Sequence, residues 1–240
     1  MDIKSLNTAA RLAISALCLS VLYGILYAGM SISLSTTGKL AQIPSLVTVQ
    51  QKYAGVAIVS AMKGSMYDYV SDDDYIEVVK DWVEAGSPQV LYDTDIAPMM
   101  DEDCTDCHSA GSTMTDAMTS LPLTTYDEVK TLTKKGMPWS KLAVATHTHL
   151  FSIGMMVFIL GMLISMAGIF TWIKHVLICV AFLGLWGDVL FWTLAKFVGF
   201  VGYLIPLTGG LLISGLGAMS IVVLLDCWIK VPWISKPTNS

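Results

Sequence analysis

Charged residues are scarce in this chain of 240 residues. They make up 14% of it, whereas 54% of the residues are hydrophobic and the mean hydropathy is +0.64. Soluble globular domains average about a quarter charged residues, so this scarcity excludes an ordinary soluble domain and predicts a membrane protein. The formal net charge of −5 also lacks the positive excess typical of nucleic-acid-binding proteins. We therefore expect no nucleic acid partner.

The charges that are present are concentrated in one segment. Between Ser31 and Ala145 lie 16 acidic and 8 basic residues, which gives that segment a net charge of −8, while the remainder is weakly basic. An acidic, water-soluble insert therefore interrupts a hydrophobic frame.

Four apolar stretches reach the roughly 20 residues that a membrane-spanning helix needs. They are Leu12–Met30, Leu150–Trp172, Val176–Leu194 and Val198–Leu225. The first lacks an A-x-A-like cleavage site, which favours an uncleaved anchor over a signal peptide. The predicted domains are a membrane anchor helix (1–30), an external acidic domain (31–145), a three-helix membrane bundle (146–228) and a cytoplasmic tail (229–240).

The lysine and arginine residues near the spans predict the orientation. Lys4, Arg11, Lys174, Lys230 and Lys236 all face the cytoplasm if the chain starts inside. We therefore expect a multi-pass protein of the bacterial inner membrane, with both termini cytoplasmic and the acidic insert in the periplasm.

Within the insert, the apolar spacing of residues 45–70 is typical of an amphipathic helix that packs on the rest of the domain or along the membrane. The following SDDDYIEVVKDWVEAG predicts a short helix with Ser71 as N-cap and Gly86 as its stop. Residues 87–100 are predicted to form a connection into the segment that carries the insert's two cysteines.

That segment contains one thiol motif, Cys104-Thr-Asp-Cys107-His108, of the form C-x-x-C-H. Two thiols one helical turn apart can reach the two vinyl groups of one porphyrin, while the adjacent imidazole of His108 is directed at the iron. A thioredoxin-like pair would need a βαβ setting, and a disulfide would not need the histidine. A zinc site completed by His147 and His149 is the third alternative. One covalently attached haem c uses both thiols and His108, and the predicted external location agrees with it.

Two stretches around the motif resemble bacterial cytochrome c domains. They are IAPMMDEDCTDCH, which is similar to the start of such domains, and LPLTTYDEVKTLTKKGMP, which is similar to their later part. The resemblance implies that His108 is the proximal haem ligand and that Met137 of the G-M-P segment is the distal one. The interval between them is short for the family, so the domain would be minimal, and His147 or His149 is the alternative distal ligand.

Histidine is also scarce, with four in the chain. His175 follows His149 by 26 residues, about 39 Å along a helix, so the two cannot clasp one haem inside the bundle. Asp188 lies well within a span, where a carboxylate costs about 3 kcal/mol, and is therefore predicted to face the bundle interior, to be protonated or to find a partner. A pair between His149 and Asp188 would orient a ligand, relay a proton or clamp two helices.

The membrane part resembles a group of poorly characterised bacterial inner-membrane proteins. The residues that carry this resemblance are HTHLFSIGMMVFILG, then G-D-x-x-x-W, then LTGGLLISG. It implies no particular activity. The glycines of the last span, Gly209, Gly210, Gly215 and Gly217, predict close approach to another helix or subunit.

The sequence thus predicts an all-α protein with four transmembrane helices and a small external helical cytochrome c-like domain between spans 1 and 2. The expected function is a membrane-bound c-type cytochrome that transfers electrons at the periplasmic face, as a subunit of, or shuttle to, a larger respiratory or photosynthetic complex. Its expected partners are redox proteins and the lipid bilayer, and an electron carrier is favoured over a stand-alone catalyst. The alternative is an enzyme subunit in which His147, His149 and Asp188 form a quinol or metal site that passes electrons to the haem.

Overall fold

A computed structural model describes residues 2–229. Their regular secondary structure is helical, apart from an isolated antiparallel bridge between Val56 and Lys135. The α-helices are α1 (Thr8–Thr37), α2 (Leu46–Ala54), α3 (Ala57–Met62), α4 (Asp73–Glu84), α5 (Gln89–Leu91), α6 (Ala97–Asp103), α7 (Tyr126–Thr131), α8 (Trp139–Thr148), α9 (Gly154–Met166), α10 (Thr171–Ala195) and α11 (Ile205–Trp228). The predicted tail, apart from Ile229, lies outside the described residues.

Within the described residues 2–229, four helical segments are long and apolar enough to cross a membrane, as predicted. They are Thr8–Thr37, Trp139–Met166, Thr171–Ala195 and Gly199–Trp228. The second consists of α8, a π-helical turn at His149–Ile153 and α9. It begins before the predicted start at Leu150. Helix α1 continues past Met30 through the segment SISLSTT, where the Thr36 and Thr37 hydroxyls donate to the carbonyls of Ile32 and Ser33.

The chain forms two compact units. The first, the membrane bundle, contains residues 2–31, Trp139–Leu194 and residues 203–229. The second, the thiol-motif unit, contains Ile32–Pro138 and Ala195–Gly202. The insert was predicted to span residues 31–145. The structure instead assigns residues 139–145 to the membrane bundle.

Within the bundle, α10 and α11 approach each other at their backbones. A Cβ added to Gly184 would lie 2.4 Å from the Leu212 nitrogen, and one added to Gly215 would lie 2.9 Å from the Ala181 Cα. Such close contact allows extensive van der Waals packing between the two helices. In a lipid bilayer this packing drives helix association, because the hydrophobic effect does not act between helices that lipid surrounds. The glycine at 215 therefore has the packing role predicted for it, against a helix of the same chain.

One end of the bundle is closed by polar contacts to the N-terminal segment. Lys4 Nζ lies 3.2 Å from Asp226 Oδ1, and the Gly168 amide donates to Asp226 Oδ2 at 3.0 Å. The Arg11 guanidinium donates to the Cys227 carbonyl. Asp226 is only 2% exposed, so these partners compensate a carboxylate that would otherwise be costly to bury.

The thiol-motif unit has its own hydrophobic core, built chiefly from α3, α4, α6 and α7. Its buried members are Ile58, Met62, Ile76, Val79, Trp82, Tyr92, Ile96, Met100, Leu123 and Val129. Two buried or half-buried aromatic side chains also satisfy their polar atoms, since Trp82 Nε1 donates to the Pro88 carbonyl and the Tyr126 hydroxyl donates to the Ser87 carbonyl.

Three local predictions for this unit were wrong. The helix expected over 45–70 breaks at Gly55, whose carbonyl accepts from the Gly136 amide at 2.8 Å instead of continuing a helix. Asp72, not Ser71, caps α4, because Ser71 donates to Asp103. Residues 89–103, expected mostly as a connection, are helical, with a π-helical turn at Tyr92–Ile96 between α5 and α6.

Candidate functional site

The C-x-x-C-H motif occupies the turn that ends α6. The amides of Cys104 and Thr105 both donate to the Met100 carbonyl, and the His108 amide donates to the Cys104 carbonyl at 2.8 Å. Cys104 and Cys107 are free thiols and half-buried. The turn therefore holds two thiols and an imidazole within a few residues, as the spacing predicted.

His108 is held in a single orientation. Its side chain is buried, and its Nδ1 lies 2.8 Å from the Leu121 carbonyl oxygen. Because a carbonyl can only accept, Nδ1 carries the hydrogen, and the lone pair of Nε2 remains for a metal. Backbone bonds from Leu123 to the His108 carbonyl and from Met118 to the Cys107 carbonyl fix the surrounding loop.

A cavity of about 330 Å³ adjoins the motif, within the size range of small-molecule and cofactor sites. It is bordered by both thiols and by His108, and most of its other walls are aliphatic, aromatic or methionine side chains. The remaining lining residues are Ile58, Ala61, Met62, Ser65, Met66, Tyr69, Val70, Tyr75, Met99, Met100, Asp103, Asp116, Met118, Leu121, Leu123 and Leu132.

Two titratable groups on this cavity have altered acidity. Burial, with smaller contributions from the neighbouring Asp103 and Cys107, raises the pKa of the Cys104 thiol to about 11. The Tyr75 hydroxyl donates to Glu102 Oε2 at 2.9 Å, and this hydrogen bond raises the pKa of Tyr75. At neutral pH Cys104 is therefore a protonated thiol in an apolar setting.

The structure does not bring Met137 to this cavity. Met137 is half-buried, is not among the lining residues, and its carbonyl accepts from Lys196 Nζ. Five other methionines border the cavity, namely Met62, Met66, Met99, Met100 and Met118. The high methionine count, 14 in the chain, was the one sequence signal that could have pointed to them.

His147 and His149 point to different neighbours. The His147 ring lies 4.8 Å from the Phe151 ring, whereas the His149 ring packs edge-on at 4.7 Å from Trp192. Two histidines at i and i+2 could share a metal only on an irregular helix, and a π-helical turn does begin at His149. The rings of His147 and His149 nevertheless pack against different side chains. Across residues 2–229, no group of three or more histidine, cysteine or acidic side chains is arranged to hold a metal.

Asp188 is 7% exposed and faces the interior of the bundle, as predicted. The side chains of Trp192 and Thr208 interact with its carboxylate. The Trp192 ring also packs against His149, so the two members of the predicted pair, His149 and Asp188, share Trp192 as a neighbour. Trp192 follows Asp188 by four residues, so the two side chains lie on the same helix face. This spacing in the sequence could have predicted their contact.

Comparison with known proteins agrees with the helical bundle. Residues 124–232 match a family model described as a transmembrane helical domain (Aq_1264_TM). The chain is a multi-pass membrane protein. No curated protein and no solved structure has significant similarity to it.

Proposed function

We propose that this membrane protein is a c-type cytochrome with one haem c, which transfers electrons at the external face of a bacterial inner membrane. The observation that carries the proposal is the C-x-x-C-H turn beside an apolar cavity, with His108 Nδ1 tied to the Leu121 carbonyl at 2.8 Å. This arrangement leaves Nε2 available to iron and places both thiols on the same cavity.

The residues present fit a covalently held haem. Cys104 and Cys107 would form thioethers to its vinyl groups, and His108 Nε2 would be the proximal ligand. The haem supplies one-electron redox chemistry when bound. The mostly apolar walls would surround the group with few polar side chains, and the carbonyl partner of His108 keeps the imidazole in the tautomer and orientation that coordination requires.

The surrounding unit suits an electron carrier. Its acidic excess favours encounter with a basic redox partner, and the four membrane spans keep the protein at the bilayer. We propose that it acts as a subunit of, or shuttle to, a larger respiratory or photosynthetic complex. Raised ionic strength should slow electron exchange with such a partner, because the attraction is screened.

Covalent haem attachment tests the proposal. The full chain is produced in cells that carry a cytochrome c maturation system, then purified and stained for haem after denaturing electrophoresis. Wild type should retain haem, Cys104→Ser with Cys107→Ser should retain none, and His108→Ala should bind at least about ten-fold less. Cys179→Ser, in α10, is the matched control and should retain haem fully. Absence of covalent haem from wild type under these conditions would refute the proposed function.

A second candidate function, oxidation of a quinol at the membrane bundle, is favoured by the buried carboxylate of Asp188. A carboxylate inside a membrane span usually marks a functional site, and here Trp192 connects it to His149. Quinol oxidation releases two protons and two electrons, so each quinol would reduce two haem-bearing chains. This candidate predicts quinol-dependent haem reduction by the purified chain alone, lost in His149→Ala and Asp188→Asn but retained in His147→Ala. Reduction only by an added protein would exclude it.

A further inference from the structure

The cavity beside the thiol motif has two walls that come from different parts of the chain. Residues 99–132 carry the thiols and His108, whereas residues 58–75 form the other wall. A second protein ligand to the iron would have to come from a residue that lines this cavity. The wall formed by residues 58–75 is the part of the lining that does not belong to the thiol-bearing segment, so it would supply a ligand from a separate part of the chain.

The five methionines on the cavity are not equivalent. Met99 and Met100 belong to α6, which leads directly into Cys104, and the Met118 amide donates to the Cys107 carbonyl, so all three belong to the thiol-bearing wall. The other wall provides Met62 and Met66. Met62 is 5% exposed and is a member of the hydrophobic core, so its side chain is already committed to packing.

Met66 borders the cavity but is not among the residues packed against that core. Its backbone is firmly positioned, since its amide donates to the Ala61 carbonyl at 2.9 Å. The preceding Gly64 fits so closely that an added Cβ would lie 2.6 Å from the Thr36 carbonyl oxygen. A Cβ on Gly38 would likewise lie 2.9 Å from the Ser65 carbonyl oxygen. The turn that carries Met66 is thus packed closely against the end of α1.

We infer that Met66, and not Met137, supplies the distal thioether ligand to the haem iron. The inference rests on the proposed function, and it places the distal ligand before the C-x-x-C-H motif in the chain. A thioether on a fixed turn is a preorganised ligand, because little conformational freedom remains to be lost on coordination. With both axial positions filled by protein, the iron would exchange electrons without binding substrate.

The test uses the purified, haem-loaded full chain and compares Met66→Leu with Met62→Leu and Met137→Leu. The readouts are the long-wavelength absorption band that methionine sulfur gives with ferric haem, and the binding of carbon monoxide to ferrous haem. Met66→Leu should lose the band and gain carbon monoxide binding, while both control variants should keep the band. Met66→His should replace the methionine signature with that of two nitrogen ligands, which a merely structural role would not produce.

Two outcomes overturn the inference while leaving the proposed function standing. One is a wild-type protein with covalent haem but no methionine band. The other is a band that persists in Met66→Leu or an unchanged spectrum in Met66→His. A wild-type protein without covalent haem would instead overturn the proposed function itself, so the two failures are distinguishable.

Discussion

His108 and His149 share one arrangement and differ in what lies beside them. In each, Nδ1 lies close to a backbone carbonyl oxygen, Leu121 at 2.8 Å and Ala145 at 3.0 Å, so that Nε2 is the available nitrogen. The His108 ring borders a cavity of about 330 Å³, whereas the His149 ring packs edge-on against Trp192. A backbone carbonyl thus fixes the tautomer of both histidines. His108 is a candidate ligand because its ring borders a cavity, whereas the His149 ring is packed against another side chain.

The same contrast applies to the two units as wholes. The thiol-motif unit keeps an apolar cavity beside its core, while the bundle closes its helices to backbone contact at Gly184 and Gly215. In the bundle the buried carboxylate of Asp226 is ion-paired with Lys4, and that of Asp188 interacts with Trp192 and Thr208. One unit therefore leaves room for a group that the chain does not itself contain, and the other packs its helices against each other and places its buried carboxylates beside polar side chains.

The largest expected effect concerns Cys104 in haem-free protein. With a pKa of about 11, its thiolate fraction at pH 8 is on the order of one in a thousand, and the thiolate is the reactive form. Alkylation by iodoacetamide at pH 8 should be roughly 100-fold slower than in denatured protein, and its rate should rise about ten-fold per pH unit until pH approaches the pKa. Peptide-resolved mass spectrometry measures this. Equal rates in native and denatured protein would show that the cavity is not apolar.

An intermediate effect is expected from adding a methyl group where α10 and α11 pack against each other. Gly184→Ala should lower the free energy of unfolding by about 1–3 kcal/mol, because the new methyl group meets the backbone of Leu212. Gly210→Ala is the matched control, since nothing lies within 4 Å of its added Cβ. It should raise the free energy of unfolding by up to about 1 kcal/mol through helix propensity. Chemical unfolding in mixed micelles compares the two, and equal effects would contradict the close approach of α10 and α11.

The smallest effect is expected at Trp192. Trp192→Phe keeps an aromatic ring against His149 but removes the indole N–H that interacts with Asp188. Both residues lie in α10, four positions apart, and polar side-chain pairs at this spacing contribute about 0.2–0.5 kcal/mol, so a loss of that order in the free energy of unfolding is predicted. Trp172→Phe, at an exposed position, should leave it unchanged. A loss well above 2 kcal/mol would mean that Trp192 holds more of the bundle than this contact.

Much of the architecture could be predicted because it depends on local composition. The four spans follow from long apolar runs, and the inward position of Asp188 follows from the cost of a carboxylate in lipid. Helix boundaries were less predictable. Ser71 has the chemistry of an N-cap, but its side chain is engaged by Asp103, 32 residues away, and Asp72 takes its place.

Part of the candidate site could also be predicted from the sequence, and part could not. The grouping of Cys104, Cys107 and His108 was determined by the sequence alone, because five consecutive residues on one turn cannot move far apart. Whether Met66 or Met137 lies on the cavity, and that Trp192 packs against His149, was decided only by the tertiary structure. The physical reason is that these contacts join segments distant in the chain, so they depend on how helices pack and not on the spacing of neighbouring residues.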